Sequence, residues 1–137
     1  MSVVLDASAG VVLAATDRHP RLRDLVARAR FVGVPELYDF DVTNVVGKYL
    51  RAGTWNAEQG ELVLERALGL ADERESGVAL AREALALARQ HQHPACDMFY
   101  VALARRHDAT LASTDRRLLR MAAALGVKSG LELLDEG

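Results

Sequence analysis

Two hydrophobic rhythms alternate along the chain. Short β-branched or apolar runs at residues 3–5 (VVL), 31–34 (FVGV) and 110–113 (TLAS) have the length and composition of buried strands. Weaker strand signals lie at 70–74 and around 131–134. Between them, apolar positions recur at helical spacing over 7–15, 21–30, 36–51, 57–68, 78–90, 96–107 and 115–125. Punctuation supports these bounds. Asp6 or Ser8 stands near the start of the first helix, His19-Pro20 opens the second, and Gly53 closes the third. Asn56 and Ser76 are suitable N-caps for the next two, and Gly126 stops the last. Strands separated by helices predict right-handed crossovers, hence an α/β fold whose mainly parallel sheet of four to five strands is covered on both faces.

No repeat, low-complexity tract or Pro/Gly-rich linker divides the 137 residues, so one domain, 1–137, is expected. That length buries roughly 68–70% of the unfolded surface. Half the residues are hydrophobic but only 5% are aromatic, so the core should be built from Ala, Leu and Val. A net charge of −2 argues against a uniformly basic nucleic-acid binder, leaving local arginine clusters or metal ions to make any such contact. Cys96 is the only cysteine, which rules out an intrachain disulfide and a cysteine zinc cluster; without an activating neighbour in sequence it is expected to be packed. The apolar start is interrupted by Asp6 and lacks a basic n-region, so no signal peptide or membrane span is expected and a cytoplasmic location is.

Chemistry concentrates on four aspartates in the contexts VVLDASAG, PELYDFDVTNVV, HPACDMFYVALA and TLASTDRRLL: Asp6, Asp41, Asp97 and Asp115. In a parallel sheet, ligands bind beyond the carboxyl ends of the strands, where Asp6 and Asp115 fall. Either could equally serve as a helix N-cap. Asp41 lies inside a helix, at the edge of the apolar stripe of Tyr38, Val42, Val45, Val46 and Tyr49 and in line with Asn44 and Lys48, and is either a solvated edge charge or a carboxylate aimed into a cleft. Asp97 precedes the apolar run MFYVALA and is either a cap or a ligand. Gathered carboxylates suit hard divalent cations, Mg²⁺ or Mn²⁺, and such ions can drive in-line attack on a phosphodiester. Other chemistries fare worse. His91 and His93 are two apart and lack companions for zinc, no glycine-rich phosphate loop is present, and no Ser-His-Asp set is evident.

Taken in order, the four segments resemble the PIN-domain ribonucleases, especially the VapC-type toxins of bacterial toxin–antitoxin pairs. VVLDASAGVVLA resembles the family's opening strand, Asp-x-Ser and small-residue helix, and VPELYDFDVTNVVGKYLRAG its second motif, an acid followed by x-x-Asn. CDMFYVALARRHDATLASTDRRLLRMAAALGV resembles the third and fourth: Asp before an aromatic and Ala-rich helix, then a strand ending in Thr/Ser-x-Asp. The resemblance implies a three-layer α/β/α sandwich and an acidic metal site of Asp6, Asp41, Asp97 and Asp115, with Ser8, Asn44 and Ser113 as supporting polar residues. It further implies a Mg²⁺- or Mn²⁺-dependent endoribonuclease, the toxin component of a toxin–antitoxin pair. Its partners would be RNA, a cognate antitoxin and a second copy of the chain. Arg116, Arg117 and Arg120 could hold RNA phosphates or form a solvated helix face.

One departure opens an alternative. The second acid is usually Glu in these toxins, and here it is Asp41, one methylene shorter. A PIN-like protein with weakened catalysis, acting through protein binding, is therefore the second expectation. The apolar faces of 21–30 and 57–68 are either contact surfaces for the antitoxin or second copy that the resemblance implies, or part of the core.

Overall fold

A computed structural model describes residues 1–134. Four strands, β1 (Ser2–Leu5), β2 (Phe31–Pro35), β3 (Glu73–Glu75) and β4 (Thr110–Ala112), form one parallel sheet in the order β3-β2-β1-β4. The connections from β1 to β2 and from β2 to β3 step in one direction. Right-handed crossovers therefore put α1 (Ala7–Ala15), α2 (Pro20–Arg28), α3 (Leu37–Arg51) and α4 (Ala57–Gly69) on one face. The connection from β3 to β4 steps back across the sheet and carries α5 (Gly77–His91) and α6 (Ala95–His107) to the other. Contacts follow this division: α1, α3 and α4 pack on one another, while α5 packs on α6 and α6 on β1, β2 and β4. A last helix, α7 (Arg116–Ala124), follows β4.

Central strands covered on both faces read as unbroken apolar runs, and Val3, Val4 and Leu5 are at most 2% exposed. They sit in a hydrophobic cluster with Val32, Val34, Tyr38, Leu80, Met98, Leu103, Leu111 and Leu118. The apolar stripes of α2 (Leu22, Val26) and α4 (Val63, Ala67) belong to this cluster too, so those faces look inward. The stripe of α3 is also buried at Tyr38, Val42 and Val46, but Tyr49, at its far end, is exposed.

Several boundaries differ from the sequence reading. Leu70 and Ala71 do not begin a strand; their N–H groups bond back to Ala67 and Leu68 and finish α4. The ladder with β2 begins at Asp72, whose N–H donates to the Val32 carbonyl and whose carboxylate accepts the Val32 N–H at 2.7 Å. Residues 131–134 are not a strand either. After a single bridge between Leu111 and Ser129 the chain turns into a 3₁₀ helix, Leu131–Leu133. That geometry places residues three apart on one side, so half-buried Leu131 and buried Leu134 face the same way, as a strand would forbid. Ser76 makes no side-chain cap on α5; Glu36 Oε1 accepts the Gly77 N–H at 2.8 Å instead. Asn56, in contrast, caps α4 with a full capping box through Gln59.

Candidate active site

The strand order reverses between β1 and β4, because the chain leaves β1 toward β2 and returns beyond it to β4. Crevices at such reversals, outside the carboxyl ends of the strands, are where α/β sheets place their ligands. Asp6 stands there. Its N–H continues the β1–β4 ladder to the Ala112 carbonyl at 3.0 Å, and its side chain caps α1, accepting the Ala9 N–H at 2.9 Å and the Ser8 hydroxyl at 2.8 Å on Oδ1. The capping reading is thus correct, and both of these bonds fall on Oδ1. Ser8 accepts the Thr114 N–H, lies 3.5 Å from the Ser113 hydroxyl, and so ties the ends of the two strands together.

Asp6 is only 6% exposed. Burial pushes its carboxyl up to about 6, although Ser113, the Ala9 N–H and Ser8 all act to lower it; the charge of Asp97 raises it further. Asp41, half-buried on α3, is also raised, first by burial and then by Asp97, against the opposing hydrogen bond from Tyr100. That bond runs from the Tyr100 hydroxyl to Asp41 Oδ2 at 2.8 Å. Burial, reinforced by Asp41, pushes the Tyr100 hydroxyl itself far up, which keeps it a proton donor. Asp97 does not cap α6, whose N-cap is Pro94. Its Oδ2 lies 2.8 Å from His93 Nε2.

Asp97 lies within electrostatic reach of both Asp6 and Asp41, although the three come from α6, the end of β1 and α3. Asp115 stands apart: it is exposed, and its Oδ1 caps α7 through the N–H groups of Arg117 and Leu118. Its tie to the others is Ser113, buried behind Asp6, whose hydroxyl accepts the Asp115 N–H at 2.9 Å. Asn44 is exposed and makes no side-chain hydrogen bond among the described residues. Asp39 points elsewhere, into a two-pronged pair with Arg74. On α7, Arg117 and Arg120 are exposed and Arg116 is half-buried. Cys96 is exposed, not packed as the sequence suggested; Met98 and Val101 supply the inward side of α6. A cavity of about 200 Å³ lies away from all four acids, between β1–β3 and the end of α6, beside Val3, Val34, Glu75, Leu103 and His107.

Sequence reasoning passed over Tyr100 and weighed His93 only as a zinc ligand. Tyr100 is three residues after Asp97 on α6, an interval at which helical side chains become neighbours, whereas His93 lies four residues before Asp97, ahead of the helix. A buried tyrosine hydroxyl also requires a partner.

Residues 3–124 match the PIN domain family. The chain belongs to that family. Its fold is similar to the crystal structure of PAE2754 from Pyrobaculum aerophilum, at 21% identity and a TM-score of 0.74, over 96% of this chain and 93% of that one. No curated protein matches the sequence. PIN domains are in general metal-dependent nucleases and typically use Mg²⁺ or Mn²⁺.

The donors of this PIN domain fit such an ion in kind. Asp6, Asp41 and Asp97 offer only carboxylate oxygen, the hard donor that Mg²⁺ and Mn²⁺ prefer. The charge of Asp97 acting on Asp6 and Asp41 and the raised carboxyl of Asp6 are costs that a cation would relieve. In the conformation described, no three acidic, histidine or cysteine side chains among the described residues are already gathered closely enough to hold an ion.

Without metal, Asp6 imposes a pH dependence on stability. The folded protein retains a proton on Asp6 up to about pH 6, whereas the ordinary value is 3.8. Between these values the folded state binds more protons than the unfolded, so stability falls as pH rises through that window. Asn caps a helix about as well as Asp and does not titrate. Urea denaturation of metal-free protein is therefore expected to show wild type losing stability relative to Asp6→Asn from about pH 4 to pH 6. A difference that stays constant across this range would exclude the buried-carboxyl explanation.

Proposed function

We propose that this PIN domain is a Mg²⁺- or Mn²⁺-dependent endoribonuclease and the toxin of a VapC-type toxin–antitoxin pair. The observation that carries the reading is the buried carboxyl of Asp6 at the β1/β4 reversal, supported by the charge of Asp97 acting on both Asp6 and Asp41. Asp6, Asp41 and Asp97 would hold the ion, and Asp115 would add a fourth carboxylate from the head of α7. When bound, the ion would activate the attacking water and neutralise charge on the scissile phosphate.

The chain's own residues have separate tasks. Ser8 and the Ala9 N–H hold Asp6 Oδ1 at the strand end. Tyr100 orients the shortened Asp41 side chain. Arg117 and Arg116 stand beside Asp115 to meet RNA phosphates, a contact that positions the substrate without reading its sequence. Asn44, exposed one turn beyond Asp41, would act at the mouth of the cleft rather than in its floor. A cognate antitoxin covering the acidic cleft and a homodimer complete the reading, both from the VapC resemblance.

Cleavage of total RNA by the purified protein tests it. Discrete fragments should appear with Mg²⁺ or Mn²⁺ and vanish with EDTA. No cleavage by folded, antitoxin-free protein would favour the second reading, a binding protein weakened by Asp41 in place of Glu.

A further inference from the structure

We infer that His93 is a positioning residue for the metal centre: its ring holds the Asp97 carboxylate in the orientation that receives the ion. The inference rests on the metal-centre reading above. His93 occupies the link between α5 and α6, where the backbone is unusually constrained. Gln92 before it adopts a left-handed conformation (φ 49°), Pro94 after it fixes its own φ at −55°, and the His93 N–H bonds the Ala88 carbonyl at 3.1 Å. Its ring is buried, with only 6% of the side chain exposed, although the link itself lies at the surface. From this fixed base Nε2 reaches Asp97 Oδ2 at 2.8 Å. Against a carboxylate oxygen the ring nitrogen donates.

Asp97 needs such a support more than its companions do. Asp6 is anchored by a backbone N–H and a serine hydroxyl, and Asp41 by Tyr100. The Asp97 side chain is 42% exposed, and a carboxylate that far into solvent samples several rotamers unless something holds it. With Oδ2 committed to the ring, the second oxygen is the one left to turn toward Asp6 and Asp41. The ring N–H also draws on the charge that raises both of those groups. Partners that orient a metal-binding side chain in this way typically alter metal affinity 10–100-fold when removed.

A merely structural role is the competing account, since an i,i+4 pair at a helix start also stabilises the helix. The two differ in what they move. Mn²⁺ is titrated calorimetrically into metal-free wild type, His93→Phe, which keeps the ring volume without a donor, His93→Ala, and His93→Gln, which restores an N–H at similar reach. Thermal melts of all four are recorded alongside. The expected result is Mn²⁺ binding about 10–100-fold weaker in the Phe and Ala variants and within about threefold of wild type in the Gln variant, whatever their melting temperatures. Affinity equal to wild type in the Phe or Ala variant, or a loss in the Gln variant as deep as in Ala, overturns the inference while leaving the metal centre intact. Wild type that binds no Mn²⁺ overturns the metal-centre reading itself, and this inference with it.

Discussion

Asp97→Asn is expected to slow RNA cleavage by ~10³-fold or more while leaving the melting temperature within roughly 3 °C of wild type. The activity estimate follows from what is removed. A bound metal supplies several kcal/mol of transition-state stabilisation, and about 4 kcal/mol corresponds to 10³-fold in rate. Asparagine matches aspartate in size and still offers an oxygen to His93 Nε2, so the hydrogen bond at 2.8 Å need not be lost. Two opposing effects keep stability nearly constant. A charge in the first turn of α6 gains roughly 0.3–1 kcal/mol from the helix dipole, which the variant forfeits. The same charge raises the carboxyls of Asp6 and Asp41, and removing it relieves both. Initial rates at saturating Mn²⁺, with melts of metal-free protein, check both halves. Cleavage within tenfold of wild type would remove Asp97 from the metal site.

Asp97 also shows where sequence reading stops. Val3, Val4 and Leu5 were legible because a central parallel strand has no polar face to hide. β3 was signalled only weakly, at 70–74 instead of 73–75, because its Glu73-Arg74-Glu75 is a polar edge strand whose place is set by Asp72 and Val32 across the sheet, forty residues apart in sequence. For Asp6 and Asp115, sequence posed capping against function as alternatives. Both side chains in fact cap a helix, and the capping bond of Asp6 uses one oxygen of a group that is itself buried. Capping therefore never excluded a second role. Only the fold separates the two, since it sets Asp6 against the field of Asp97 and leaves Asp115 exposed. The partnership of Tyr100 with Asp41 spans 59 residues and depends on how α6 and α3 approach the sheet from opposite faces. No local pattern encodes it.

Gly10 lets α1 and α3, the helices beside Asp6 and bearing Asp41, pack closely. Gly10 lies one turn beyond Asp6 on α1, with its N–H on the Asp6 carbonyl at 3.0 Å, and Tyr38 lies three residues before Asp41 on α3. A Cβ on Gly10 would overlap the Tyr38 hydroxyl and stand 3.1 Å from its Cζ. Tyr38 is fully buried, and its hydroxyl is committed to the Ala67 carbonyl of α4 at 2.6 Å, so it has nowhere to move. Ala gains up to ~1 kcal/mol over Gly in helix propensity. Overpacking costs about 1–3 kcal/mol and a broken buried hydrogen bond a similar amount. The cost outweighs the gain, and Gly10→Ala is expected to destabilise by about 2–3 kcal/mol, lowering the melting temperature by roughly 10 °C. Tyr38→Phe alone should cost about 1 kcal/mol, because the Ala67 carbonyl keeps the Leu70 N–H as a second donor. Phe also removes the atom that the new methyl would strike. The double variant should therefore be more stable than the sum of the singles by about 1–2 kcal/mol, a coupling measurable in a urea double-mutant cycle. Strict additivity would show that Gly10 and Tyr38 do not control each other. Where coupling is found, the strained Gly10→Ala variant should also bind Mn²⁺ more weakly than the double variant, because with the hydroxyl still present the methyl is accommodated only if α3, and with it Asp41, shifts away from α1.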